Sequence, residues 1–105
     1  MVQIPINITD IIQKFLLESE KNNIHIQQAI LFGSYAKGTQ HEFSDIDLAI
    51  VSEDFQGIRL LDNVKLDKPA LNSSYDLETH PFRPEDFTED NPFVKEILKE
   101  GIRIK

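Results

Sequence analysis

Ile8, Ile11, Ile12, Phe15 and Leu16 follow the i, i+3, i+4, i+7, i+8 spacing of a helix with one buried stripe. The spacing predicts a helix from about Thr9 to Glu20, with Asn7 or Thr9 as N-cap and Asp10 near the positive end of the dipole. Lys21-Asn22-Asn23 should stop it. The pattern then changes to a strand over Ile24–Phe32, where Ile24, Ile26, Ile30 and Phe32 share one parity. Ala29 and Leu31 make the end of that run apolar on both faces, as in an interior strand. Ser34 to Lys37 reads as one or two helical turns closed by Gly38, and Thr39–Phe43 as a polar connection.

A second strand runs from about Ser44 to Val51, and Ser52-Glu53-Asp54 ends it. Ile58, Leu61 and Val64 suggest a short helix, which Pro69 should keep from continuing, leaving Lys65–Ser74 the least structured stretch. Ser74–Thr79 alternates as a third strand, with Tyr75 and Leu77 inward and Asp76 and Glu78 outward. Pro81 and Pro84 bracket a turn. Asn91-Pro92 is a cap and first helical position, opening a helix through Glu100 that buries Phe93, Val94, Ile97 and Leu98. Gly101 ends it, and Ile102-Arg103-Ile104 suits an edge strand. The order of helices and strands predicts a small α/β (α+β) fold, a mixed sheet with helices packed on it, in a single domain over residues 1–105.

Composition narrows the chemistry. The chain holds 18 acidic and 11 basic residues, a formal charge of -7, and its basic residues are dispersed. Such a surface repels a nucleic-acid backbone, so direct nucleic-acid binding is not expected. The absence of cysteine excludes disulfides, thiol catalysis and cysteine-ligated zinc. No stretch approaches the roughly 20 apolar residues of a membrane span, and no basic segment leads into an apolar signal region, so a cytoplasmic location is expected.

Asp45 and Asp47 stand out against this background. Both have poor strand propensity, yet they flank Ile46 at the start of an apolar strand. Side chains alternate along a strand, so the two carboxylates project together while Ile46, Leu48 and Ile50 point the other way. Neighbouring carboxylates repel unless a cation sits between them, and oxygen ligands suit magnesium or manganese better than zinc. Gly33-Ser34, at the start of the short helix, offers a residue without a Cβ, backbone N–H groups and a hydroxyl to a phosphate. Asp76 would join the face of Asp45 and Asp47 if the strands are neighbours, and Glu78, of the same parity, is its rival.

Together, GSYAKG, ten intervening residues between Ser34 and Asp45, and DID among apolar neighbours resemble the Gly-Ser plus Asp-x-Asp signature of the polymerase-beta-type nucleotidyltransferase superfamily. SDIDLAI and the closing KEILKEGIRIK resemble its minimal nucleotidyltransferase branch. The resemblance implies a nucleotidyltransferase fold in which Gly33 and Ser34 hold the triphosphate of ATP. It also implies two Mg²⁺ ions, with Mn²⁺ as a substitute, bound by Asp45, Asp47 and a third carboxylate matched best by Asp76. YDLET is more polar than the family's usual third strand. The family includes antitoxins paired with HEPN-type ribonuclease toxins, some of which adenylylate the toxin. The resemblance therefore implies transfer of AMP to a protein hydroxyl on such a partner, or neutralisation of the toxin by binding alone.

Small-molecule tailoring or nucleic-acid extension would call for an added substrate domain or a basic groove, and neither is visible. Base preference and oligomeric state, a homo-oligomer included, stay open. Tyr35, Lys37 and Glu42 have no assigned role. His25, His41 and His80 read as ordinary surface or loop residues without partners at metal-ligand spacing. Phe82, Phe87 and Phe93 form either a satellite core or a partner-binding patch.

Overall fold

In a computed structural model of the chain, which describes residues 3–105, the N-terminal stripe folds as α1 (Ile6–Lys21). Ile8, Ile12 and Phe15 are buried along it, and Ser19 joins them because its hydroxyl donates to Phe15 O at 2.8 Å. Asn23, with φ 62°, turns the chain out of the helix. The strands are β1 (Gln28–Phe32), β2 (Ile46–Val51), β3 (Leu77–Phe82) and β4 (Ile102–Arg103). They form one sheet in the order β3-β2-β1-β4, with β1 antiparallel to both β2 and β4, and β2 parallel to β3. Between β1 and β2 lies α2 (Ser34–Lys37), whose following residue, Gly38, sits at φ 73° and ψ 20° in the left-handed cap expected of it.

Alternation in the strands divides the molecule into two faces. Ala29 and Leu31 of β1 and Ile46, Leu48 and Ile50 of β2 pack with Ile12 and Phe15 of α1 and Leu66 of α3 (Arg59–Ser73). The opposite face carries Ile30 and Ala49 beneath Ile97 of α4 (Pro92–Glu100), with Phe32, Phe82 and Phe87 packed around them. This face also bears the polar residues Asp47, Glu78 and His80, because they share the parity of Ala49 and Phe82. Two helices thus cover one side, while the shorter α4 leaves the charged end of the other side open.

The mixed α/β architecture and the order of elements are those the pattern predicts, and several boundaries move. Ile24 and Ile26 are buried but precede the ladder, which begins at Gln28. The largest difference is α3, which runs through Pro69 for 15 residues. Proline in a helix interior forfeits a backbone bond at a cost of about 3 kcal/mol. Packing offsets it: Leu66 and Pro69 are among the fully buried side chains, and Ser73 Oγ donates to Pro69 O at 2.9 Å. The buried face of α3 is therefore Asp62, Leu66 and Pro69, while Leu60, Val64 and Leu71 are exposed.

β3 begins and ends later than expected and includes Pro81, which an edge strand tolerates because its outer side needs no donor. Tyr75 consequently lies outside the strand and is 89% exposed rather than inward. In α4, the Asn91 side chain caps Phe93 N at 2.9 Å as predicted. Val94 and Ile97 are buried there as expected, whereas Phe93 and Leu98, expected to be buried, are exposed.

Candidate active site

Register builds the site. Phe32 of β1, Asp47 of β2 and Glu78 of β3 form one row across the sheet, and Ala49 and His80 are paired in the next row on the same face. One Asp47 oxygen, one Glu78 oxygen and a His80 ring nitrogen lie within 4.8 Å of one another, a grouping able to hold a metal ion. Asp47 Oδ1 is 3.4 Å and Glu78 Oε1 3.9 Å from His80 Nε2. Beyond His80, Arg59 at the start of α3 donates from Nη2 to His80 Nδ1 at 3.3 Å.

The carboxylates crowd one another. Burial, then the negative charges of Asp47 and Asp45, hold the Glu78 carboxyl above the ordinary glutamate value. A divalent cation would relieve that repulsion, and the predominance of carboxylate oxygens fits magnesium or manganese. His80 is shifted below the ordinary histidine value by burial first, with Arg59 adding to the shift and Asp47 opposing it. Its ring packs edge-on to Phe32 and Phe93, with centroids 4.9 and 5.8 Å away.

Gly33 completes the carboxylate side. Its φ of 75° and ψ of -149° belong to a region essentially reserved for glycine. A Cβ added there would collide with Asp47 Oδ2 and approach Cγ to 3.3 Å. The absent side chain is what lets the β1–α2 turn lie against the carboxylate. Ser34 opens α2, and Lys37 at its end pairs with Glu100 of α4 at 3.2 Å. Phe32, Gly33 and Lys37 border a cavity of about 190 Å³ against Phe93 and Ile97 of α4.

The residues singled out from sequence are therefore placed as follows. Asp47 and Gly33 are in direct apposition, Ser34 follows Gly33, and Asp45 stands one residue ahead of β2, close enough to raise Glu78. Asp76 is exposed just before β3. Its carbonyl accepts from Ile46 N at 2.8 Å and its N–H donates to Ser74 Oγ at 3.1 Å. Glu78, its rival, occupies the row with Asp47.

His80 is a correction. It is a buried strand residue in contact with two carboxylates, not a loop histidine without partners. The missed signal was the Glu78-x-His80 alternation, which repeats the parity of Asp45-x-Asp47 once β3 extends past Thr79. Arg59 gave no comparable signal, because only the position of α3 brings it to His80. Phe82 and Phe87, with ring centroids 5.2 Å apart, belong to the second apolar cluster.

Residues 12–105 match the family model for polymerase beta, nucleotidyltransferase. The chain belongs to the polymerase beta nucleotidyltransferase family. Solved structures share the fold of this nucleotidyltransferase domain. A mutant form of the MntA-HpeT toxin-antitoxin matches with a TM-score of 0.61 and 23% identity, over 92% of this chain and 72% of that one. A toxin-antitoxin crystallised with AMP-PNP matches with a TM-score of 0.58 and 28% identity, over the same 92% and 72%. A candidate nucleotidyltransferase from Sulfolobus solfataricus matches with a TM-score of 0.55 and 16% identity, over 98% of this chain and 89% of that one. No curated protein matches the chain. Among the described residues, no helix of the nucleotidyltransferase domain is long and apolar enough to cross a membrane.

Proposed function

We propose that this domain transfers AMP from ATP to a hydroxyl of a partner protein, and that the partner is a HEPN-type toxin. The observation that carries the reading is the row that sets Asp47 beside Glu78, with Gly33 pressed against the Asp47 carboxylate. Family membership supports nucleotidyl transfer, and the likeness to a toxin-antitoxin crystallised with AMP-PNP supports both the adenine nucleotide and the partner.

In this reading Asp45, Asp47 and Glu78 hold magnesium, two ions by resemblance to the family, with Glu78 rather than Asp76 as the third carboxylate. When bound, magnesium would supply the positive charge that lowers the pKa of the attacking hydroxyl and offsets the negative charge of the triphosphate. Gly33 lets the β1–α2 turn lie against Asp47, and the backbone donors and hydroxyl at Ser34 bind the triphosphate. Glu78, in the same row as Asp47, accepts the proton of the acceptor hydroxyl. The new bond joins that oxygen to the α-phosphorus, and the bond from the α-phosphorus to the β-phosphate bridging oxygen breaks, releasing pyrophosphate.

A second reading, neutralisation of the toxin by binding without transfer, is favoured by α3. Leu60, Val64 and Leu71, which are 76%, 61% and 58% exposed, recur along its outer face at helical spacing. ATP labelled at the α-phosphate, incubated with Mg²⁺, the domain and a co-purified partner, separates the two. Label on the partner that disappears with Asp47→Asn supports transfer. A stable but unlabelled complex supports binding alone.

A further inference from the structure

The hydrogen-bond chain Arg59–His80–Asp47 fixes what the histidine can do. A guanidinium carries five N–H donors and no acceptor. Nδ1 of His80, 3.3 Å from Arg59 Nη2, must therefore present a lone pair, so the single proton of the neutral ring lies on Nε2. That N–H faces Asp47 Oδ1 at 3.4 Å and Glu78 Oε1 at 3.9 Å. A protonated nitrogen offers no lone pair to a cation. Histidines that ligate metals commonly donate their other ring N–H to a carboxylate or carbonyl, which keeps the ligating nitrogen bare. Here that outer position is held by a donor, so the usual arrangement is reversed.

Arg59 is an exposed residue. It is the first residue of α3, and it lines a cavity of about 190 Å³ with His80, Phe82, Asn91 and Phe93. Among the described residues no ion pair engages it, which leaves its guanidinium to His80.

From this geometry we propose that Arg59 is a metal-selectivity residue: by donating to Nδ1 of His80 it bars the imidazole from ligation and keeps the centre an all-oxygen site. His80 is then a positioning residue, whose Nε2–H orients Asp47 and tempers the repulsion between Asp47 and Glu78. Oxygen donors suit magnesium and manganese, whereas an available imidazole nitrogen would favour zinc, cobalt or nickel. The inference rests on the carboxylate cluster being the divalent-metal site proposed above.

The test is calorimetric titration of the intact chain with Mg²⁺ and with Zn²⁺, together with ¹⁵N NMR of the His80 ring. Arg59→Gln removes the donor-only group and offers an amide oxygen that can accept from Nδ1–H. Its zinc-to-magnesium affinity ratio should rise by about tenfold or more, the scale on which outer partners tune metal sites. Arg59→Lys, again a donor without an acceptor, should restore the ratio of the unsubstituted protein. Adding His80→Asn to Arg59→Gln should abolish the gain. The ratio isolates ligand chemistry from the general effect of removing a positive charge. In the unsubstituted protein the ring should keep its Nε2–H form with Mg²⁺ bound. An unchanged ratio in Arg59→Gln, or zinc held on Nε2 in the unsubstituted protein, overturns the inference while leaving the carboxylate site standing. Failure of every variant to bind either cation overturns both.

Discussion

Gly33 and Glu78 bear most directly on the site's chemistry. An alanine at position 33 would have to adopt φ 75° and ψ -149°, a strained conformation costing about 1–3 kcal/mol, and its methyl group would displace the Asp47 carboxylate. Gly33→Ala should therefore lower stability by about that amount in urea denaturation and weaken Mg²⁺ binding as well. A stable variant with unaltered binding would deny the close approach its role.

Glu78 predicts a pH effect of definite sign. Its folded carboxyl is held above the ordinary value by burial and by Asp47 and Asp45. Between the unfolded and folded values the native chain binds more protons, so its stability contribution is full below the unfolded value and is lost as pH rises through the folded one. Without metal, Tm should fall as pH rises through the mildly acidic range just above the ordinary glutamate value. Glu78→Gln should flatten that fall, and Mg²⁺ should cancel it. An identical slope in Glu78→Gln would assign the effect to other groups.

Among the elements, α3 contributes most beyond its own fold. It is the crossover between parallel strands β2 and β3, it brings Arg59 to His80, and it exposes Leu60, Val64 and Leu71. Replacing Leu60 and Leu71 together with glutamate should leave the far-ultraviolet circular dichroism and Tm nearly unchanged, because neither side chain is in the core. The same change should weaken association with the partner by about tenfold or more, the scale of losing a buried anchor. Loss of folding would place the stripe in the core instead.

This element also shows where sequence reading stops. The stripe of α1, the Asn91-Pro92 start of α4 and the alternation of β2 are legible because local spacing and capping agree with tertiary packing. In α3 they disagree: Leu60, Val64 and Leu71 point outward, while Asp62 is buried beside Leu66, its carboxylate accepting from Gln56 N at 2.8 Å and Gly57 N at 2.9 Å. Pro69 concealed the helix for the same reason, since the packing that offsets its cost is not local. Asp45 and Asp47 stood out as candidates through their conflict with strand preference, and Gly33-Ser34 through its fit to a turn. The register that brings His80 to Asp47 is a property of the assembled sheet.

On the scale of the molecule, the two faces of the sheet divide the work. The face under α1 and α3 carries the larger apolar cluster, and the other joins a smaller aromatic cluster to the carboxylates. A charge of -7 makes the empty site hostile to a triphosphate, so nucleotide binding should depend on the cation that neutralises Asp47 and Glu78. The most direct test is calorimetric titration with a non-hydrolysable ATP analogue, with and without Mg²⁺, using the unsubstituted protein and Asp47→Asn. The account predicts that Mg²⁺ tightens nucleotide binding by about tenfold or more, within the usual range of coupling between sites, and that Asp47→Asn loses this gain. Equal affinity with and without the metal would contradict it, because the carboxylate row would then not be the phosphate site.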